Sequence, residues 1–388
     1  MSEIQVGQIN STDGLTAITT SSGNTTVANN LTVTGGFVPS TQIGGRRNLI
    51  INSAMQVAQR GTSSTSTGYA SVDRWKTVPF RVDTLVGTQS QSTDAPDGFS
   101  TSFKYNVDTA ESLGGDEYFG VMHHVEAYNV QHLDYGTASA KSMTLSFWVK
   151  GSTTGTYAIQ FYTEDSGRTI GATYTIDTAD TWEYKTVSIV GDTAGSGIAN
   201  NNGSGFRLFF ILASGTNYTT TDNTSWDASS SARIAYNHSA NPIATINNYW
   251  QITGVQLEVG TVATPFEHIS YGEQLALCQR YLQRIAYDSG NDSVAFGYSF
   301  NNGQSIFEYN FRDGTMRSAP TITTSSVGNG FRYQICGAED LSRNNIPNIE
   351  IISTTSVQFG NNQSTITANR PARLRMQSGA FINFDAEL

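Results

Sequence analysis

At 388 residues the chain exceeds what one hydrophobic core usually supports, and only 14% of it is Asp, Glu, Lys or Arg, with Ser, Thr, Asn, Gly and Gln filling the deficit. Its net charge of −10, with Arg46-Arg47 as the single basic doublet, argues against nucleic-acid binding, which needs clustered cations. No apolar run approaches the ~20 residues that cross a bilayer, and Met1-Ser2-Glu3-Ile4 lacks the charged and apolar regions of a secretion signal, so the expectation is synthesis in a cytoplasm without membrane insertion.

Residues 1–45 are almost free of aromatics and read Ser-Thr-Asn-Gly with scattered Ile, Val and Leu. A segment so poor in apolar side chains builds no core alone; it orders by pairing with copies of itself or with another surface, as an extended attachment segment does. Within it, Asn29-Asn30-Leu31-Thr32-Val33-Thr34-Gly35-Gly36 alternates apolar and polar residues, predicting a short strand stopped by a glycine pair.

Aromatic residues arrive from about residue 48. Met143 to Lys150 alternates so that Met143, Leu145, Phe147 and Val149 share one face, which predicts a half-buried strand. Tyr157 to Thr163, Trp182 to Val190, Phe206 to Leu212 and Tyr249 to Leu257 repeat the pattern between turn-forming clusters. One segment differs: Ser270-Tyr271-Gly272-Glu273 has capping-box spacing, and Tyr271, Leu275, Cys278 and Leu282 recur at helical intervals. The spacing predicts a helix over about 271–284 that caps the sandwich and leads into a second domain near Ile285. There, Val294 to Phe300, Ile306 to Phe311, Phe331 to Ile335, Ile349 to Ile352, Ala372 to Met376 and Phe381 to Phe384 again alternate. The predicted fold is all-β: an attachment segment at 1–45, an antiparallel jelly-roll sandwich at 46–284 ending in a short capping helix, and a second, C-terminal β-sandwich at 285–388.

Catalytic signatures are sparse. The sequence has no phosphate loop, no dinucleotide fingerprint, no His-Glu-x-x-His and no Gly-x-Ser-x-Gly elbow. Cys278 and Cys336 are too few for a disulfide framework and read as buried thiols. His123-His124, with Glu126 and His132 nearby, is the densest set of metal-ligand types, yet neighbours on a strand face opposite ways and cannot share an ion. Glu164-Asp165, Asp94 with Asp97, and Asp288 with Asp292 offer oxygens to a structural Ca²⁺ without following a calcium-loop pattern, and no other cofactor is expected. Asp116-Glu117 is the pair one would nominate for glycoside cleavage, which needs two carboxylates across a cleft. Trp226 and Tyr218 lie in the polar stretch from Gly215 to Ser231 and are the candidates for stacking on a sugar, against the alternative that Trp226 folds under its own loop.

Two stretches carry a resemblance. Arg47-Asn48-Leu49-Ile50-Ile51-Asn52-Ser53-Ala54-Met55-Gln56-Val57-Ala58-Gln59-Arg60-Gly61-Thr62, followed by Tyr69-Ala70-Ser71-Val72-Asp73-Arg74-Trp75, resembles the opening of a jelly-roll module of phage tail-fibre and other virion proteins, marine phages among them. Ile252-Thr253-Gly254-Val255-Gln256-Leu257-Glu258-Val259-Gly260, then Thr264-Pro265-Phe266-Glu267 and Tyr271 to Tyr281, resembles its close. The resemblance brackets about residues 46–284 and implies a sandwich akin to carbohydrate-binding modules on a homotrimeric virion appendage. It supplies no catalytic residues. The motifs read as framework: Asp73-Arg74-Trp75 as a carboxylate and guanidinium paired beside a buried indole, and Pro265-Phe266 as a plug at the base. The run Asn30-Leu31-Thr32-Val33-Thr34-Gly35 also resembles attachment segments of phage fibres, and Phe381 to Leu388 is similar to the end of many such proteins.

The implied function is that of a tail fibre or receptor-binding protein of a virion, assembled in the host cytoplasm. Residues 1–45 would dock to a phage tail or capsid protein, and the β domains would meet a host-surface glycan with the avidity of three copies. A head fibre or capsid decoration subunit shares this architecture, and an envelope-polysaccharide depolymerase is the enzymatic alternative.

Overall fold

The computed structural model describes residues 46–388 except 83, 220, 231–232, 288–290, 302–303, 312–313, 326–329, 336–340, 344–348 and 363–369. The expectations for residues 1–45, Cys336 and Asp288 lie outside the described residues. Among the described residues twelve strands come first: β1 (Ser63–Ser64), β2 (Trp75–Phe80), β3 (Val86–Ser92), β4 (Ser102–Thr109), β5 (Tyr118–Glu126), β6 (Met143–Gly151), β7 (Gly155–Thr163), β8 (Arg168–Ile176), β9 (Glu183–Ile189), β10 (Ser204–Ser214), β11 (Asp227–Ala228) and β12 (Tyr249–Val259). They form two six-stranded antiparallel sheets, ordered β1-β3-β4-β12-β6-β9 and β11-β8-β7-β10-β5-β2.

The core between these sheets is what the alternation dictates. Met143, Leu145, Phe147 and Val149 of β6 meet Tyr157, Ile159 and Phe161 of β7 and Phe206, Leu208 and Phe210 of β10 in one buried cluster. The expectation of a half-buried β6 understates the case, because Thr144 and Ser146 on its other face are also buried. Thr144 Oγ1 donates to the Gly260 carbonyl at 2.9 Å, so this second face is closed by hydrogen bonds.

The two motifs that bracket the sandwich in sequence are one clasp in space. Asn48 donates through Nδ2 to the Val255 carbonyl at 3.0 Å, and its Oδ1 accepts from the backbone of Ile50 and Leu257. Glu267 accepts from the backbone N–H groups of Arg47 and Asn48, while Arg47 donates to the Pro265 carbonyl at 2.9 Å. The expected plug at Pro265-Phe266 is instead part of this clasp: Pro265 is exposed, and Phe266 packs edge-on against Phe99 at 4.9 Å. Gly254 is required where β12 bulges, since its φ of +61° is left-handed and a Cβ would come within 2.5 Å of the Phe99 ring.

After the sandwich comes the helix α1 (Tyr271–Gln279), capped by Ser270 Oγ accepting from Glu273 N. It stops short of the predicted 284, because Leu282 to Arg284 belong to β13 (Leu282–Ala286). Tertiary contacts override the local period: Tyr281 and Leu282 are fully buried, and Tyr281 donates its hydroxyl to Glu126 at 2.7 Å. Among the described residues nine strands follow: β14 (Asn291–Asn301), β15 (Gln304–Asn310), β16 (Thr321–Thr324), β17 (Phe331–Ile335), β18 (Leu341–Arg343), β19 (Ile349–Ile352), β20 (Ser356–Asn362), β21 (Arg370–Gln377) and β22 (Phe381–Asp385). A seven-stranded sheet, β18-β17-β21-β14-β15-β20-β19, packs Phe307, Tyr333, Phe359 and Leu374 against Ile382 and Phe384 of the three-stranded sheet β13-β22-β16.

A buried ionic cluster joins the two sets of sheets. Arg74, with φ +71° and no exposed surface, ion-pairs with Glu387, donates to the His124 carbonyl at 2.6 Å and lies 3.5 Å from the centroid of the Tyr281 ring. Asp73 is not its partner. That carboxylate accepts from Gln59 N at 3.0 Å and Gln59 Nε2 at 2.6 Å and faces Arg60 at 3.9 Å. Trp75 is buried as expected of an indole in the framework, with Nε1 donating to the Asn52 carbonyl at 3.1 Å. Arg280 adds an ion pair to Glu126, and Arg317 donates to the carbonyls of Asn202 and Ala386.

Breaking such a pair strands a charge. Arg74→Met should cost about 3–5 kcal/mol of unfolding free energy in denaturant melts, and Arg74→Met with Glu387→Met should recover part of it; a double variant no better than the single would refute the pairing. The same cluster sets a pH dependence. Burial, with Arg74 beside it, holds the His123 imidazole well below its usual 6.5, whereas burial pushes the Asp73 carboxyl up to about 6. An unfolded histidine takes up a proton below about pH 6.5 that folded His123 refuses, so its contribution is complete above that pH and is lost as the pH falls. Asp73 opposes this, favouring the fold once protonated below about 6. Between pH 7 and 5.5, His123→Gln should lose about 1 kcal/mol less stability than the parent protein, and equal losses would mean His123 titrates freely.

Candidate functional site: a cleft on the outer face of the second sheet

Strands β5, β10 and β7 are buried on both faces, and that makes the site. Val121, Phe210 and Ile159 stand in one row across the three strands and point into the core. One residue along each strand, Met122, Phe209 and Gln160 form the next row and point outward. Over this outer face folds the stretch 215–240. Gly171 N donates to the Asn223 carbonyl at 2.6 Å, Asn223 Nδ2 to the Arg233 carbonyl at 2.7 Å, and Ala235 N to the Tyr218 carbonyl at 2.9 Å. Met122, Phe209, Ile211, Tyr218 and Ala235 then form a second, smaller apolar cluster.

Sheet and covering segment leave between them a cleft of about 360 Å³. Its floor is Met122, Phe209 and Gln160, its ends are Tyr118 and Tyr162 with Arg207, and Ser229, Ser230 and Ile234 form the opposite rim. Tyr118 stacks on Phe80 at 4.7 Å and 6°, extending the aromatic surface outward, since Phe80 is 37% exposed. Arg207 lies over the Tyr162 ring at 4.2 Å. The polar groups of this lining are uncommitted: among the described residues, the Tyr118 and Tyr162 hydroxyls, the Gln160 amide, the Arg207 guanidinium and the hydroxyls of Ser229 and Ser230 make no hydrogen bond within the chain. Gln160 is only 4% exposed as a residue, yet its amide atoms still reach solvent through the cleft.

The residues singled out from sequence sit elsewhere. Tyr218 is 4% exposed, donates its hydroxyl to the Asp116 carbonyl at 2.9 Å and meets Tyr118 edge-on at 5.0 Å, so it buttresses the cleft and offers no open face to a sugar. Trp226 is half-buried under its loop, with Nε1 donating to the Val190 carbonyl at 2.7 Å and its ring edge-on to Tyr135. For Trp226 this is the alternative weighed above, an indole folded under its own loop; the covering segment needs apolar anchors of its own. Asp116 accepts from Asn217 and faces Arg81 at 3.5 Å, Glu117 accepts from Gly114 N at 2.6 Å, and neither carboxylate lines the cleft.

His123 and His124 diverge as their strand requires, His123 toward the Ile51 carbonyl at 3.1 Å and His124 toward Ser204 Oγ at 2.7 Å. Among the acids weighed for calcium, Asp94 accepts from Lys150 and Trp182, Asp165 accepts from Ala199 N, and Glu164 faces Arg207 at 3.5 Å. Among the described residues no group of three or more His, Cys, Asp or Glu stands close enough to hold a metal ion. One sequence signal did point to the cleft: in Phe206 to Leu212, Phe209 and Ile211 are apolar on the face opposite Phe206, Leu208 and Phe210, which marks a strand covered on both sides.

No family model and no curated protein matches the chain. Among solved structures, it is similar to the enzymatically active domain of tailspike protein 4 of bacteriophage CBA120, at 14% identity and a TM-score of 0.32 over 55% of this chain and 21% of that one. The chain therefore matches about a fifth of the tailspike's length. It is also similar to TmCBM61 in complex with β-1,4-galactotriose, at 9% identity and a TM-score of 0.28 over 55% of this chain and 100% of that one. A third is the family 11 carbohydrate-binding module of a cellulosomal cellulase of Clostridium thermocellum, at 10% identity and a TM-score of 0.26 over 52% and 98%.

Proposed function

We propose that the protein binds carbohydrate in the cleft of the second sheet and does so as a non-catalytic part of a phage virion, a tail fibre or receptor-binding protein that holds the particle to a host-surface glycan. The observation that carries the binding reading is the lining itself. Aromatic side chains flank hydroxyl and amide groups that make no hydrogen bond within the described chain and a guanidinium held only by an ion pair to Glu164, and a sugar presents apolar C–H faces and hydroxyls to match. Glycoside hydrolysis needs two carboxylates flanking the bond, and among the described residues the lining holds none, Glu164 standing behind Arg207 at 3.5 Å. The virion role rests on the resemblance of the paired motifs at 47–75 and 252–281. Trimer formation and docking through residues 1–45 belong to the same proposal.

Titration calorimetry of the full chain with bacterial surface polysaccharides should give saturable heats. Gln160→Ala should weaken binding about 3- to 10-fold, the worth of one hydrogen bond, and Tyr162→Ala about 10-fold or more. Unchanged affinity in both variants, with native melting curves, would exclude the cleft. Light scattering on the full chain should return three chain masses, and a single mass would reject the trimer.

A further inference from the structure

We infer that the cleft is specific for an acidic glycan, one whose sugars carry a carboxylate, and that Arg207 is the residue that reads it; this rests on the carbohydrate reading above. Arg207 comes from the middle of β10, between His124 of β5 and Tyr162 of β7, and its side chain is 26% exposed. The Tyr162 ring fixes the plane of its guanidinium. None of its five N–H donors makes a hydrogen bond within the described chain; Nε is buried, and the terminal nitrogens, one of them 3.5 Å from Glu164, are those left for a ligand. A half-buried guanidinium left in this state is under-satisfied, and a planar carboxylate is the partner that matches its fork through two parallel charge-assisted bonds. Sugar hydroxyls match it only one bond at a time.

Among the described residues, Arg207 forms one ion pair, with Glu164 at 3.5 Å, and that partner is itself 32% exposed. A second cation stands close by: Lys76 of β2 pairs in register with Met122 of the floor, and burial and Arg207 together lower its proton affinity. Lys76 is itself engaged, donating to the Leu388 oxygen at 3.3 Å with Glu387 acting on it, so Arg207 is the cation that lines the cleft. Glu164 then acts as the competitor that an incoming carboxylate displaces from Arg207, which gives two substitutions with opposite expected effects.

The test uses the full chain and a panel of uronate oligosaccharides, each beside its carboxyl-reduced form, so that backbone and length are matched and only the charge differs. The acidic member should bind about 10-fold or more tightly, with an advantage that shrinks as salt rises from 0.05 to 0.5 M. Arg207→Gln should abolish the advantage, so that the acidic and reduced forms bind alike, and Glu164→Gln should enlarge it. A gain in the second variant is something that a merely structural role for Arg207 would not produce. Equal affinity for the acidic and reduced forms, or a preference that survives Arg207→Gln, overturns the acidic specificity and leaves carbohydrate binding standing. Failure to bind any oligosaccharide, acidic or neutral, overturns the carbohydrate reading and this inference with it.

Discussion

The Arg74 guanidinium is the contact on which the rest of the architecture hangs. It has no exposed surface, and burying an unpaired cation would cost several kcal/mol, so it persists only because three separate parts of the chain converge on it. Glu387 comes from beyond the last strand, the His124 carbonyl from β5, and the Tyr281 ring from just after α1. Each is thereby held to the end of the first sandwich. The consequence reaches the cleft: fixing His124 fixes β5, and β5 supplies Met122 to the floor and Tyr118 to one end. Packing in the interior thus decides where groups on the outer face stand.

The cleft is itself a compromise between stability and binding. Phe209, Ile211 and Met122 bury apolar area under the covering segment, worth roughly 25 cal/mol for each Å² removed from water. The buried Nε of Arg207 works against this, since an unsatisfied buried polar group costs about 1–3 kcal/mol. A fold that tolerates such groups gains when a ligand completes their hydrogen bonds, because that penalty is removed on binding without new ordering of the chain. Gly120 fits the same arrangement: a Cβ there would come within 2.6 Å of the Phe209 ring, so its bare backbone lets β5 and β10 approach closely enough for the floor to be continuous.

Where one face of a strand is apolar and the other polar, the sequence was legible. β6, β7, β10, β12, β17 and β19 lie close to the segments that their patterns mark, although β7, β10 and β12 prove to be buried on both faces. β5 was not read: Tyr118-Phe119-Gly120-Val121-Met122-His123-His124-Val125 is apolar or aromatic on both faces and has no period to detect. The helix was over-extended because Leu282 continues the apolar spacing of α1, while pairing with Asp385 claims it for a strand. The cleft was the least legible part. Its polar members, Gln160 and Arg207, occupy the positions that alternation assigns to solvent, and only the fold of 215–240 over them turns an outward residue into a buried one.

This separation explains why the most recognisable stretches of the chain say least about its ligand. Asn48, Asn52, Gln59, Asp73, Glu267 and Trp75 are occupied with one another or with backbone groups, closing the start of the sandwich against its end. Side chains whose donors and acceptors are all engaged internally have nothing left for a partner. Recognition falls instead to outward residues of β5, β7 and β10 and to the rim at Ser229 and Ser230, which the clasp does not touch. Substitutions at Gln160, Tyr162, Glu164 or Arg207 can therefore alter which sugar is held while the clasp keeps the strands in register. A substitution at Asn48 or Arg74 instead removes the platform itself, whatever the ligand.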